Sequence, residues 1–570
     1  MRGAMRRLLY TSWCVVVLLT AARAQSSGAG SIAGRVVDAT TGAPLHRARV
    51  EIHPDGHDDI RGIAPSDGDG RFVLRALPAG KYRIQVSRRG YAAMAYGSSR
   101  PYGQGRVLVL SAGEHVTDLT IRLPRLGVIS GTVTGVDGEP LAAAQVQALR
   151  RQFARGQLGW TPWHYAQADG QGRFRLFGLT PGKYLIAASK QFEDIPTLTP
   201  ARNPSDPAAE QNDRLAYATT FAPGTPRREE AREIDLQPGQ ALEGVAIAMQ
   251  VMRPLKLSVQ AQLPVQVPTP ETSEIPPDGT PLPPPRRQDQ PIVRLSLMEA
   301  PGGFGGVTNW GGGMETGGRF DYPNLQPGKY VLSGEVTIDS RMYAARQEIE
   351  LSGADADVTL VFAPAIALRG SLRLEGPGAG SAAGHHVNLV SGDGRPQPGA
   401  SAEVHPDGSF VLANVPPGLW DIAVEPLPKG GYLKSMMLGD EDVLRKDMVI
   451  TAETAARLEI VVSAAGAELK GQVQDPGATT VLLAPQGENA AVLSFYAVTG
   501  VDEKGNFHFR GRTPGVYKVY AFDELEPGAW MDPSFLTPFA DRGTVVELKE
   551  GPNADVNVPV IHNAQAGAGE

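Results

Sequence analysis

The chain has a single cysteine, Cys14, among 570 residues. It lies in an apolar N-terminal stretch, so the rest of the chain has no thiol, and disulfides and thiol catalysis are excluded there. Small exported domains without disulfides rely on their hydrophobic cores, which suits a bacterial envelope better than a eukaryotic secretory route. Other absences narrow the chemistry. None of the ten histidines begins the His-x-x-Glu pair that a zinc carboxypeptidase needs, and the nearest approach is His115 with Asp118. Between His53 and His57, Pro54 and Gly56 exclude a helix, and the neighbours His385 and His386 would point to opposite sides if they lay on a strand. Asp67 and Asp69 start like a calcium loop, but Arg71 takes the next alternate position. There is no Gly-x-Ser-x-Gly elbow and no phosphate-cradling loop. No catalytic residue, metal or cofactor is therefore expected. After the first 20 residues no apolar run approaches the length of roughly 18 that a membrane helix needs, so no membrane span is expected in the mature chain.

What is present at the start is a secretory leader. Arg2, Arg6 and Arg7 precede an apolar stretch from Leu8, and Ala22-Arg23-Ala24 ends it, so residues 1–24 read as a signal peptide. Without them the balance is 50 basic against 61 acidic residues, which argues against nucleic-acid binding. The expected location is exported: periplasmic, outer-membrane-associated or secreted.

Glycine and proline are abundant, at 67 and 47 residues, which rules out a helical bundle. They recur in one phrase of turn, strand, turn and strand. Its first copy has Asp67, Gly70 and Phe72, then Leu77, Pro78, Gly80 and Tyr82. The second glycine recurs at Gly182, Gly328, Gly418 and Gly515, at intervals of 102, 146, 90 and 97 residues. That spacing is too long for a solenoid unit of roughly 20–50 residues and fits an independent sandwich. Phe72, Leu74 and Ala76 are expected on one face and Arg71, Val73 and Arg75 on the other, the alternation of a half-buried antiparallel strand. Each unit opens with a further strand, such as Ile32-x-Gly34-x-Val36, and closes with one, such as Leu119-x-Ile121-x-Leu123. Closing and opening strands nearly abut, which predicts a semi-rigid string of domains.

The set Gly34/Val36, Gly42/Pro44/Leu45, Ala48/Val50, Asp67/Gly70/Phe72 and Leu77/Pro78/Gly80/Tyr82 resembles the carboxypeptidase regulatory-like domains. The resemblance implies a prealbumin-like, immunoglobulin-like seven-stranded sandwich, also grouped with carbohydrate-binding-like folds, and implies no peptidase activity. The expected fold is therefore all-β: a tandem array of about five antiparallel β-sandwich domains after a signal peptide. The domains are placed at 31–124, 125–251, 252–364, 365–464 and 465–562, with a disordered tail at 563–570. The third carries an insertion, residues 264–291, with ten prolines. The best candidate patch is aromatic: Trp160, Trp163 and Tyr165 in the second domain, read as a stacking surface for a polysaccharide or envelope glycan. The alternatives are that Trp163 and Tyr165 form a buried strand face, and that the array is a structural spacer, an adhesion module for envelope proteins, or an accessory to outer-membrane transport or assembly.

Overall fold

The computed structural model describes residues 29–55, 57, 59–103, 105–154, 157–190, 215–264, 291–299, 310–315, 318–391, 401–474, 480–532 and 534–562. The leader, the tail and most of the proline-rich insertion lie outside the described residues.

The first sandwich shows how the repeated phrase folds. Its opening strand, Gly30–Asp38, lies between Arg71–Leu77 and the closing strand His115–Leu123. The facing sheet has Arg49–Pro54 at its centre, with Gly62–Pro65 on one side and Gly80–Ser87 on the other. Between the sheets Ile32, Val36, Val50, Ile52, Phe72, Leu74, Ile84 and Ile121 form one core. The pairings are antiparallel except that the closing strand runs parallel to the opening strand. The same parallel pairing recurs in each of the other four sandwiches.

Three local devices repeat with the phrase. In the first turn, the Asp67 carboxylate accepts hydrogen bonds from the amides of Asp69 and Arg71 at 2.9 and 2.7 Å. Gly70 closes that turn at φ +73°, where a Cβ would lie 2.5 Å from the Val36 carbonyl oxygen, so glycine is required by both backbone conformation and space. Asp169 and Asp502 cap their turns in the same way.

At the second turn, the buried aromatic donates to the carbonyl four residues back. Tyr82, Tyr184, Tyr330 and Tyr517 bond Pro78, Thr180, Gln326 and Thr513 at 2.7–2.8 Å. In the fourth copy the indole of Trp420 bonds the Pro416 carbonyl at 2.9 Å. Tryptophan replaces tyrosine there because the position needs both an apolar body and a donor.

Between the two turns, each strand carries a bulge. Ala76, Gly178, Asn324, Asn414 and Gly511 occupy matching places, all with φ between +54° and +77°. Each coincides with a slip in pairing to the opening strand. This corrects the simple alternation expected for the first copy: Ala76 is exposed, and Leu77 enters the core instead. An extra residue shifts the side-chain parity of a strand.

The third sandwich departs where its sequence does. Val259 faces Phe320 where the first sandwich pairs Gly34 with Phe72. At Gly34 a Cβ would lie 2.3 Å from the Leu119 carbonyl oxygen, whereas the third sandwich holds Val259 at the matching place, and its Phe320 is only half-buried.

Five main cores follow the five units, that of the fourth also taking in Val492 and Phe495 of the fifth, and the array is not a simple string. The fifth sandwich packs back on the first and second. The Val107 amide donates to the Val501 carbonyl at 3.1 Å, and Phe153 of the second sandwich joins an aromatic cluster of the fifth. Short joints restrict tumbling without requiring extension, so the chain folds back on itself.

Two stability outcomes follow from these devices. Replacing Tyr517 by Phe keeps the ring but leaves the Thr513 carbonyl without its donor, a loss of about 1–2 kcal/mol. Native-state hydrogen exchange should accelerate by about tenfold along Gly515–Phe522 and stay unchanged in the first sandwich. At the bulge, Gly178→Ala should destabilise the second sandwich by about 1 kcal/mol, while Ala76→Gly should stabilise the first by up to about that amount, part of the relieved strain being offset by the freer unfolded chain. Exchange rates in the two sandwiches should move in opposite directions.

Candidate functional site

The candidate aromatics lie on Gln157–Gln167, an edge strand that pairs with Gln145–Ala154 in the second sandwich. The pairing slips at Trp163, which lies between the Pro162/Leu149 and His164/Ala148 pairs and has no partner of its own. Residues paired across a sheet share a face. Trp160, opposite Arg151, is half-buried against Leu149, Leu185, Ala187 and Phe221. Trp163 is half-buried on the other side, against the main core. Tyr165, opposite Gln147, is 56% exposed. No single face carries all three. The bulge also separates Trp163 from Tyr165, so they do not form one buried strand face.

Trp163 is engaged at a domain joint. The Arg150 guanidinium lies over its ring at 5.4 Å, and Tyr102 of the first sandwich meets it edge-on at 6.3 Å between centroids. This geometry suits the negative ring face and positive ring edge of an aromatic. Trp163 thus stands where the first two sandwiches meet.

That joint is fixed on its other side by Asp38, whose side chain is fully buried. It accepts from the Thr40 and Thr41 amides at 2.9 Å, from the Tyr91 hydroxyl at 3.1 Å and from Arg125 Nε at 2.6 Å. Burial alone would raise its pKa, but these donors together hold it far below the usual carboxylate range. Arg125 begins the chain of the second sandwich, so this carboxylate ties the linker to the first.

The fifth sandwich completes the junction. Arg100 of the first lies 4.0 Å from Glu524 of the fifth, and the Tyr96 hydroxyl donates to Glu503 at 3.0 Å. Burial and the neighbouring Glu503 push the Tyr96 pKa up to about 12. Burial raises the Glu526 carboxyl above its ordinary range, although Arg100, Arg150 and Arg151 oppose the shift. Phe153 meets Phe535 edge-on at 6.4 Å. A cleft of about 470 Å³ runs along the seam of the first and fifth sandwiches, lined by Met94, Ser98, Arg106, Arg122, Asp523 and Glu524 among others. A second, of about 570 Å³, lies between the fourth and fifth, beside Asp442, Arg445 and Glu488.

Among the described residues, no group of three or more His, Cys, Asp or Glu is placed to hold a metal. Several histidines have partners suited to holding the ring in place: His115 with Ser31, His164 with the Gly178 carbonyl, and His508 with Glu468. The donor sets described at the junction are arginines, carboxylates and aromatics, chemistry that recognises or joins surfaces.

Sequence reasoning missed Tyr96, Arg100, Tyr102, Phe153, Glu503 and Glu526. One signal was available. Trp530, Phe535 and Phe539 lie in a stretch between the strands Gly515–Phe522 and Thr544–Leu548 that the repeated phrase does not account for.

No curated protein matches the chain in sequence. Among solved structures it is similar to the TIE protein of Bacillus anthracis, at 14% identity over 59% of this chain and 51% of that one, with a TM-score of 0.16. The chain thus spans about half the length of that protein. It is also similar to a minor pilin of Streptococcus agalactiae, at 13% identity over 39% of this chain and 95% of that one, with a TM-score of 0.21. For a shaft pilin of Lactobacillus rhamnosus GG, identity is 12% over 40% of this chain and 98% of that one, with a TM-score of 0.18. The opening strand, the Asp-capped turn and the aromatic-capped turn all lie within residues 31–124, the segment that matches the family model described as the carboxypeptidase regulatory-like domain, and the first sandwich is a domain of that family.

Proposed function

We propose that this chain is an exported, non-catalytic scaffold of the cell envelope, which holds protein-interaction surfaces in a set arrangement. The observation that carries this reading is the use made of the candidate aromatics: Trp160 and Trp163 are half-buried in packing, and Trp163 joins two sandwiches. A stacking surface for a sugar needs open ring faces. The basic, apolar and small-residue order of residues 1–24 supports export, and no helix among the described residues is long and apolar enough to cross a membrane. A surface for protein contact is available on the first sandwich. Its edge strand Gly62–Pro65 pairs on one side only, and Ile60 and Ile63 beside that edge are 49% and 50% exposed. An edge of this kind accepts an added strand from a partner.

Glycan binding is the second reading, carried by the exposure of Tyr165. The two are separated by titrating the chain lacking residues 1–24 against polysaccharides and peptidoglycan fragments, alongside Tyr165→Ala. The scaffold reading expects no saturable binding in either protein. Saturable binding that Tyr165→Ala abolishes would replace it with glycan recognition.

A further inference from the structure

In the first sandwich, the sheet of Gly30–Asp38, Arg71–Leu77 and His115–Leu123 turns one face to the core and the other to solvent. Phe72 and Leu74 point inward, so Arg71, Val73 and Arg75 point outward, and all three are exposed. On the opening strand Ile32 and Val36 point inward, which turns Ala33 and Arg35 outward. The register sets Arg35 directly opposite Arg71 and Ala33 opposite Val73. Like charges facing each other across a strand pair are destabilising, so the fold itself gains nothing from this placement.

The other four sandwiches avoid it. Their matching pairs are Thr132 with Arg173, Gln260 with Arg319, Ser371 with Ser409 and Gln472 with Asn506. At the place of Arg71, the arginines of the second and third sandwiches are each met by a carboxylate, Arg173 by Asp169 at 3.0 Å and Arg319 by Asp321 at 3.3 Å. At the place of Arg75, Arg510 lies 3.8 Å from Glu468. In the first sandwich Arg49, Arg83 and Arg100 form ion pairs, whereas among the described residues Arg35, Arg71 and Arg75 form none. Arg35 donates to the Asp69 carbonyl, at 3.3 and 3.4 Å. Arg122, on the closing strand, lines the cleft beside Asp523 and Glu524 and so stands apart from these three.

We propose that this outer face docks an acidic, extended segment of a partner protein, a proposal that deepens the scaffold function and rests on it. Charge complementarity selects the partner's class, since three arginines without carboxylate partners share one face of a chain that is acidic overall. A guanidinium can hold a carboxylate by two parallel hydrogen bonds. The layout favours a protein over a uniform polyanion, because Val73, 42% exposed, and Ala33 form an apolar centre between Arg71 and Arg75. An apolar centre with a charged rim is the anatomy of a protein interface. Alternate residues of an extended chain lie about 6.6 Å apart, so a segment with a carboxylate two positions to either side of an apolar residue matches Arg71, Val73 and Arg75. Its carboxylates would also offset the repulsion between Arg35 and Arg71.

The probe is a fluorescein-labelled peptide with the central pattern Glu-Thr-Val-Thr-Glu, titrated by anisotropy with the chain lacking residues 1–24 in low salt. Saturable binding is expected. It should weaken by about tenfold when glutamine replaces glutamate in the peptide, when Arg71→Thr is combined with Arg75→Thr, and in 1 M NaCl, where the Debye length is about 3 Å. No saturable binding, or binding indifferent to these changes, overturns the docking face. Arg35→Thr reproduces the threonine–arginine pair of the second sandwich and guards against a folding defect. Its thermal unfolding midpoint should hold or rise while its affinity for the peptide falls. A lowered midpoint would show that the arginine pair serves the fold, and would overturn the inference.

Phosphatidylglycerol vesicles and polygalacturonate are titrated alongside. Tighter binding to the vesicles, lost with Arg71→Thr and Arg75→Thr, would overturn the protein partner and assign the face to a membrane. Tighter binding to polygalacturonate would overturn the scaffold function as well, whereas failure of the peptide alone overturns only the docking face. Self-association in low salt that the same substitutions abolish would place a second copy there and overturn the acidic segment.

Discussion

Each sandwich closes around one hydrogen bond, from a buried aromatic to the carbonyl four residues earlier. The turn before that aromatic presents a carbonyl at the margin of the core, and the polar tip of the ring supplies its donor. A tyrosine hydroxyl reaches it in four copies, and an indole N–H in the fourth. Leucine or phenylalanine would fill the space and leave the carbonyl bare. Once the aromatic is anchored, the strand it begins is fixed in register against its neighbours, and the rest of the sandwich packs against it.

The bulge one turn earlier serves the same end. By placing one residue at positive φ in each copy, the strand turns its last apolar side chain inward, as Leu77, Leu179, Leu325 and Val415 do. In the fifth copy that place falls to Arg512, whose charge is disfavoured by burial. Its sandwich has instead a second apolar cluster on the outer face, which receives Phe153. The copy that departs most from the shared pattern at this position is also one that packs an aromatic of another sandwich against its outer face.

The repeated phrase was legible because its constraints are local. An Asp with a Gly three residues on, or Pro-Gly before an aromatic, marks a turn whatever lies elsewhere in the chain. The bulge was less visible. Gly178 and Gly511 hint at positive φ and Asn324 and Asn414 tolerate it, but Ala76 carries no such mark, and the alternation drawn through it was wrong. Parallel pairing of the closing strand also left no trace, since both directions accept the same alternating pattern. At the candidate patch, Trp160, Trp163 and Tyr165 were found together in sequence, yet the slip at Trp163 and the approach of Tyr102 from another sandwich settle where each ring lies. Both depend on residues distant in the chain.

The joints complete the physical picture, because they differ in what holds them. Asp38 is fully buried and is satisfied by four donors, of which Arg125 alone comes from the second sandwich, so opening the first joint would take away the carboxylate's one charged partner. The fourth and fifth sandwiches share apolar side chains, and parting them would hydrate that surface. The seam that folds the array back combines both kinds of contact: the Tyr96–Glu503 and Arg100–Glu524 pairs lie beside the buried Val107, and Phe153 is set against Phe535. Rigid joints between neighbours therefore do more than link the sandwiches. They supply the proximity that lets the seam close the array.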